Sequence, residues 1–143
     1  MLRPGVTQQL ASQTQVTASS VNDVTVFNNF DFDSVVFELN VTNASGTNPT
    51  LDVYIQTQDT SGNWIDAHHF VQITASNASK YYATCAVANH SANIGLVGSA
   101  TISAATAGVP LLSNNVRSHA VIGGTTPMFS YSIVMYFNHQ NER

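Results

Sequence analysis

Hydrophobic residues in this chain recur at every second position in several separate stretches, and no stretch sustains a helical period beyond a turn or two. Leu51, Val53 and Ile55 alternate with Asp52, Tyr54 and Gln56. Val35, Phe37, Leu39 and Val41 stand opposite Glu38 and Asn40. Phe129, Tyr131, Ile133, Met135 and Phe137 alternate with Ser130, Ser132, Val134 and Tyr136. Residues two apart on a strand project to one face, so each stripe predicts a strand with one face on a core. After Ile55 the pattern breaks at Asp59-Thr60-Ser61-Gly62-Asn63, residues that form side-chain turns or tolerate positive φ, and β-formers resume at Trp64. This predicts a β-hairpin over residues 50–74, the unit around which the rest of the chain is built. On its returning strand Ile65, Ala67, His69, Val71 and Ile73 share one parity, and Trp64, Asp66, His68, Phe70 and Gln72 the other.

Weaker patterns fill in the remainder. Val16, and then Val24 and Val26, mark two short strands. Residues 80–87 form a strand rich in aromatics at its start, and residues 116–122 another, ended by Gly123-Gly124-Thr125-Thr126-Pro127. Residues 42–49 read as a dense turn cluster. In residues 88–108 small side chains dominate; the pattern predicts one strand near residues 99–104 and leaves a short helix near residues 93–96 open. Residues 1–13 carry Pro4, Gly5 and many amides without a period, and read as an extended N-terminal arm ahead of a single domain over residues 14–143. About nine strands with one apolar face each are most economically buried as two antiparallel sheets face to face. The expected fold is all-β, an antiparallel β-sandwich of jelly-roll-like form.

Composition narrows the function. The 143 residues are 43% hydrophobic, enough for one core, but only 8% are charged, against about 25% in an ordinary domain. With Arg3, Lys80, Arg117 and Arg143 as its cations and a net charge of −4, the chain neutralises few phosphates, so nucleic acid is not an expected partner. A surface of amides and hydroxyls desolvates more cheaply than one of Lys and Glu, which suits packing against other chains. The first residues contain no apolar signal-type core and no segment has the length of a membrane span; the sequence reads as soluble and leaderless, with no membrane partner. The lone Cys85 rules out an intrachain disulfide and reads as a small buried hydrophobe.

Candidate chemistry is sparse. Strand parity places Asp66 and His68 on one side, where they could ligate a metal. Two side chains do not complete a tetrahedral site, and a third ligand would have to come from His119, His90 or His139, so neither metal nor cofactor is expected. His69, on the parity of Ile65 and Val71, reads as a core-edge imidazole satisfied by a backbone group. There is no G-x-S-x-G elbow and no Cys-His signature, and nothing distinguishes Asp31, Asp33, Glu38, Asp52 or Asp66 as a catalytic carboxylate. No catalytic residue is assigned and the chain is not expected to be an enzyme. The sequons at Asn40, Asn43, Asn77 and Asn89 follow from an Asn/Ser/Thr-rich composition. Trp64, Tyr54, Tyr81 and Tyr82 could together form a platform for sugar rings, although a core position is the preferred reading for Trp64.

Residues 51–70, with a strand of the type L-x-V-x-I-Q-T, a turn, a Trp and an Asp-containing strand ending in Phe, are followed downstream by a Pro-Leu and Val-Arg strand, a Gly-Gly-Thr turn with Pro, and a terminal aromatic strand. This pattern, over residues 51–137, resembles small virion proteins of tailed bacteriophages of the capsid cement or decoration type. The resemblance implies a non-enzymatic β-sandwich that binds the outer surface of the assembled shell and stabilises it. Its partners would be the major capsid protein and itself, as a homotrimer at symmetry-related sites; it would be made in the host cytoplasm and reside on the virion. The arm, with Met1, Leu2, Arg3 and Pro4 at its tip, is the expected capsid contact. The alternatives are a neck or tail component of the virion, or a carbohydrate-binding β-sandwich module.

Overall fold

The structure, a computed structural model, describes residues 6–21, 25–26, 34–87, 104, 106–107, 111–112 and 115–138. The described residues are all-β. In chain order the strands are β1 (Val6–Val16), β2 (Ser20–Val21), β3 (Thr25–Val26), β4 (Ser34–Gln58), β5 (Trp64–His69), β6 (Lys80–Val87), β7 (Thr106–Ala107), β8 (Leu111–Leu112) and β9 (Asn115–Asn138). The expectations for Met1, Leu2, Arg3 and Pro4, for His90 and His139, for Asp31 and Asp33, for residues 93–96 and 99–103, and for the side chain of Cys85 lie outside the described residues.

The scaffold is an antiparallel ribbon of β4 and β9, paired from Ser34 opposite Asn138 to Thr57 opposite Val116. The sequence pattern divides each of these strands in two at a turn cluster, and here the structure differs. The two clusters, residues 42–49 and 123–127, lie within the ladder, where Asn43 is opposite Ser130, Ser45 opposite Met128 and Thr47 opposite Thr125. Turn chemistry is spent on bulges instead of reversals. Gly46 and Gly124 lie at φ of 114° and 106°, and Asn48 and Thr126 at 49° and 48°, left-handed values at which bulges accommodate extra residues. Each glycine also lies close under a carbonyl of the opposite strand: a Cβ at Gly46 would stand 2.5 Å from the Thr126 oxygen, and one at Gly124 2.5 Å from that of Asn48.

The bulges slip the register by one residue in total. Leu39 faces Ile133 in one half of the ribbon, whereas Val53 faces Ala120 in the other. A one-residue slip exchanges the faces of a strand. β4 therefore keeps Val35, Phe37, Leu39, Val41, Leu51, Val53 and Ile55 inward, while β9 changes parity, from Val116, Ser118 and Ala120 to the stripe Phe129–Phe137. All of these are buried, and the apolar ones form a single cluster with Leu10, Ala11, Phe70 and Ile73.

Neighbours extend each half. β1 pairs β9 beside its C-terminal half, and β6 pairs the first half of β4. β2 and β3 pair the N-terminal half of β9, β5 pairs the second half of β4, and β7 pairs β5. β8 adds a short parallel contact to β6. Two halves that share one buried cluster and join through a bulged ribbon are compatible with a jelly-roll-like sandwich. Of the stretch expected as an extended arm, residues 6–13 run in β1, where Leu10 and Ala11 are buried.

Candidate functional site

The richest polar constellation lies on the outer face of the β5–β4–β9 half. The hairpin expected there is present, its turn closed by the Asp59 carboxylate, which accepts from the amides of Ser61 and Asn63 at 2.8 Å each and from the Asn63 side chain. These bonds, led by those from Asn63, hold the Asp59 carboxyl below its ordinary range. Strand pairing departs from regularity once: Ile55 faces His68 but Gln56 faces Asp66, which leaves Ala67 as the extra residue of a bulge.

That bulge overturns the parity read from the sequence. Directly opposed residues of an antiparallel pair share a face. His68 therefore lies on the side of inward Ile55, while Asp66 lies on the side of outward Gln56. Asp66 and His68 do not form a pair of ligands, and no group of three or more His, Cys, Asp or Glu side chains is gathered for a metal among the described residues. His68 instead sets its ring edge-on to Phe70 at 4.7 Å, and burial, reinforced by His69, lowers its pKa below the ordinary imidazole value.

His69 moves the other way, from the expected core edge to the outer face, and its partner is a carboxylate. Its Nε2 lies 3.0 Å from Asp52 Oδ1. A carboxylate only accepts, so Nε2 carries the proton. The second Asp52 oxygen accepts from Gln72 Nε2 at 2.8 Å. The His69 ring stacks on Tyr54 with centroids 3.9 Å apart, and Tyr54 stacks in turn on His119 at 5.7 Å. Because Tyr54 is the direct cross-strand partner of both imidazoles, the three rings form a ladder across β5, β4 and β9. Burial, with Asp52 and then Asp66 adding negative potential, raises the Tyr54 phenol pKa.

One row along, Arg117 Nε donates to Gln56 Oε1 at 2.7 Å, and Gln56 Nε2 donates to Asp66 Oδ1 at 2.8 Å. Gln56 thereby joins a cation on β9 to a carboxylate on β5. The Arg117 guanidinium also lies 4.3 Å from the centre of the Trp64 ring, a cation–π contact worth about 0.5–2 kcal/mol. Trp64 is thus a half-buried outer-face residue, not the core residue its type favours. In the last row Asn115 donates to Gln58 Oε1 at 2.7 Å.

The four aromatics proposed as a sugar platform are not brought together. Tyr54 is flanked by imidazoles and Trp64 is contacted by a guanidinium. Tyr81 faces inward opposite Leu39 and donates its hydroxyl to the Asn77 carbonyl. Tyr82, 61% exposed, belongs to the outer face of the other half. There it stands opposite Glu38, which accepts from Tyr136 at 3.2 Å and pairs with Lys80 at 3.5 Å. Asn77, one of the sequon asparagines, donates to the Gln72 carbonyl. The cross-strand rows were invisible in the sequence, since they depend on a register that the bulges set. The one available signal was the alternation of Asp52, Tyr54 and Gln56 with buried residues. No protein-family model matches the chain, and a search of curated proteins gives no significant match.

Proposed function

We propose that this chain is a non-enzymatic structural protein of a tailed-bacteriophage virion, a capsid decoration protein that binds the outer surface of the assembled shell and stabilises it. One observation supports the reading most. Every charged side chain among the described residues is engaged on the protein itself: Asp52 by His69 and Gln72, Asp66 by Gln56, Arg117 by Gln56 and Trp64, Glu38 by Lys80 and Tyr136, and Asp59 within its turn. Docking a face of this kind against protein leaves few charges to be stripped of water without a partner, and its side chains are already ordered by their neighbours.

A protein that binds the assembled shell and not its dissociated subunits stabilises the assembly through its occupancy, summed over many sites. Trimerisation would add avidity, and the tip residues Met1, Leu2, Arg3 and Pro4 are the proposed contact with the major capsid protein. The test is co-sedimentation of purified protein with shells lacking it, followed by heating and osmotic shock. Bound shells should rupture at higher temperature. Removal of residues 1–5, which spares β1 and its buried Leu10 and Ala11, should lower occupancy while leaving the domain folded. Association with tails alone would refute decoration in favour of a tail component, and undiminished binding without residues 1–5 would refute the contact.

A further inference from the structure

Lys80 is the one lysine of the chain, and it stands directly opposite Asn40 where β6 pairs β4. Opposed residues of an antiparallel pair hold their Cβ atoms about 4.5–5.5 Å apart, a gap that the flexible four-carbon stem of a lysine can span with its amine. Both residues belong to the outer face, since Leu39 and Val41 on either side of Asn40 are buried and strand neighbours alternate between faces. Two residues back on β4, and so on the same face, Glu38 sets Oε1 3.5 Å from Lys80 Nζ. The other oxygen of Glu38 accepts from the Tyr136 hydroxyl at 3.2 Å. The Glu38 side chain is only 14% exposed.

An amine, a carboxamide and a carboxylate gathered on one face are the parts of an amide exchange. We propose that Lys80 and Asn40 form an isopeptide bond that ties β6 to β4, with Glu38 moving the protons. In its neutral form Lys80 Nζ attacks Asn40 Cγ, and Glu38 accepts a proton from that nitrogen. The tetrahedral adduct then collapses: the Cγ–Nδ2 bond breaks, Glu38 returns the proton to Nδ2, and ammonia leaves. One C–N bond forms and one breaks, nothing is oxidised or reduced, and no co-reactant enters. Tyr136 acts as a positioning residue, holding the second carboxylate oxygen so that the first stays beside the amine.

The fold supplies placement, which turns a reaction between two separate groups into an intramolecular one. The Lys80 side chain is 55% exposed, so water continues to stabilise its ammonium form and only the neutral fraction reacts. Glu38 on β4, Tyr136 on β9 and Tyr82 on β6 are the titratable groups around the amine among the described residues. The bond should therefore form gradually after folding, and faster as the pH is raised. Once made, it closes residues 40–80 into a covalent loop and restricts the unfolded chain as a disulfide would, in a chain whose single cysteine cannot form one internally. This cross-link is independent of the shell-binding role proposed above.

Intact-mass measurement of the full-length protein, followed during prolonged incubation at mildly alkaline pH, tests it. A species lighter by one ammonia should accumulate. Tryptic cleavage after Lys80 should be lost in parallel, and chymotryptic digestion should release a branched peptide carrying both Asn40 and Lys80. Lys80→Arg, which keeps the charge beside Glu38, and Asn40→Ala should both hold their full mass, and Glu38→Gln should slow formation about 100-fold or more. All three positions lie on the outer face, so each variant should keep the β-type far-UV spectrum of the wild type, which separates lost chemistry from lost folding. A wild type that keeps its full mass with Lys80 fully cleavable, an ammonia loss that persists in Lys80→Arg or Asn40→Ala, or a Glu38→Gln variant that reacts at the wild-type rate would each overturn the inference.

Discussion

Asp66 and His68, two residues apart on β5, point to opposite faces of the sheet because Ala67 between them is the extra residue of a bulge. On a regular strand they would share a face and could share a metal. As placed, neither helps the other to bind one, so dialysis against a chelator should leave the melting temperature unchanged. A melting temperature lowered by many degrees and restored by zinc would contradict this placement.

His69 gains what His68 loses. It is 4% exposed, bonded to Asp52 and stacked on Tyr54. A double-mutant cycle with His69→Ala and Asp52→Ala should give a coupling of about 1–3 kcal/mol in denaturant melts. His69→Ala should cost more than Asp52→Ala, because it also removes the stack. A coupling near zero would mean that the pair is as weak as an exposed ion pair.

His68 makes the fold sensitive to mild acid. Burial holds its pKa below that of the unfolded chain, so the unfolded state takes up the proton first as the pH falls. The stability conferred by the neutral ring is complete above the ordinary imidazole value of about 6.5 and declines from there down to the folded-state pKa. Urea midpoints should drop across this window in the wild type and hold steadier in His68→Phe. The lowered pKa of Asp59 has the same sign, but acts below the ordinary carboxylate value of about 4, so the two effects separate on the pH axis. Identical profiles for wild type and His68→Phe would remove His68 from the account.

The ribbon bulges make a graded prediction. Gly46→Ala sets a Cβ against the Thr126 carbonyl at positive φ, whereas Gly62→Ala, also at positive φ, meets only the end of the Gln58 side chain at 3.6 Å. Gly62→Ala should cost about 1–2 kcal/mol for the left-handed backbone alone, and Gly46→Ala should exceed it by at least about 1 kcal/mol as the strands shift apart. Thermal melts of the two variants side by side decide it, and equal losses would count against close packing of the ribbon at Gly46.

The legible part of this fold is the part governed by period two. The stripes at Leu51, Val53, Ile55 and at Phe129–Phe137, and the turn at Asp59–Asn63, stand in the structure where alternation and turn chemistry put them. The illegible part begins where one residue type serves two ends. Gly, Asn and Pro in residues 42–49 and 123–127 end strands in most sequences, yet here they bend two long strands that continue past them. Nothing in Trp64-Ile65-Asp66-Ala67-His68-His69 marks Ala67 as a bulge, since a bulge is a property of the pair and Ile55 and Gln56 on the facing strand lie outside the segment. The candidate face inherits this: Tyr54 with two histidines, and Arg117 with Gln56 and Asp66, are neighbours only once three strands are in register.

The most direct test of the decoration assignment is a cryo-electron microscopy map of the intact virion whose genome encodes this chain. The account predicts density for the all-β domain on the outer surface of the shell, repeated at symmetry-related sites, with residues 1–5 against the major capsid protein. Density confined to the neck or tail, or a virion without the protein, would contradict it.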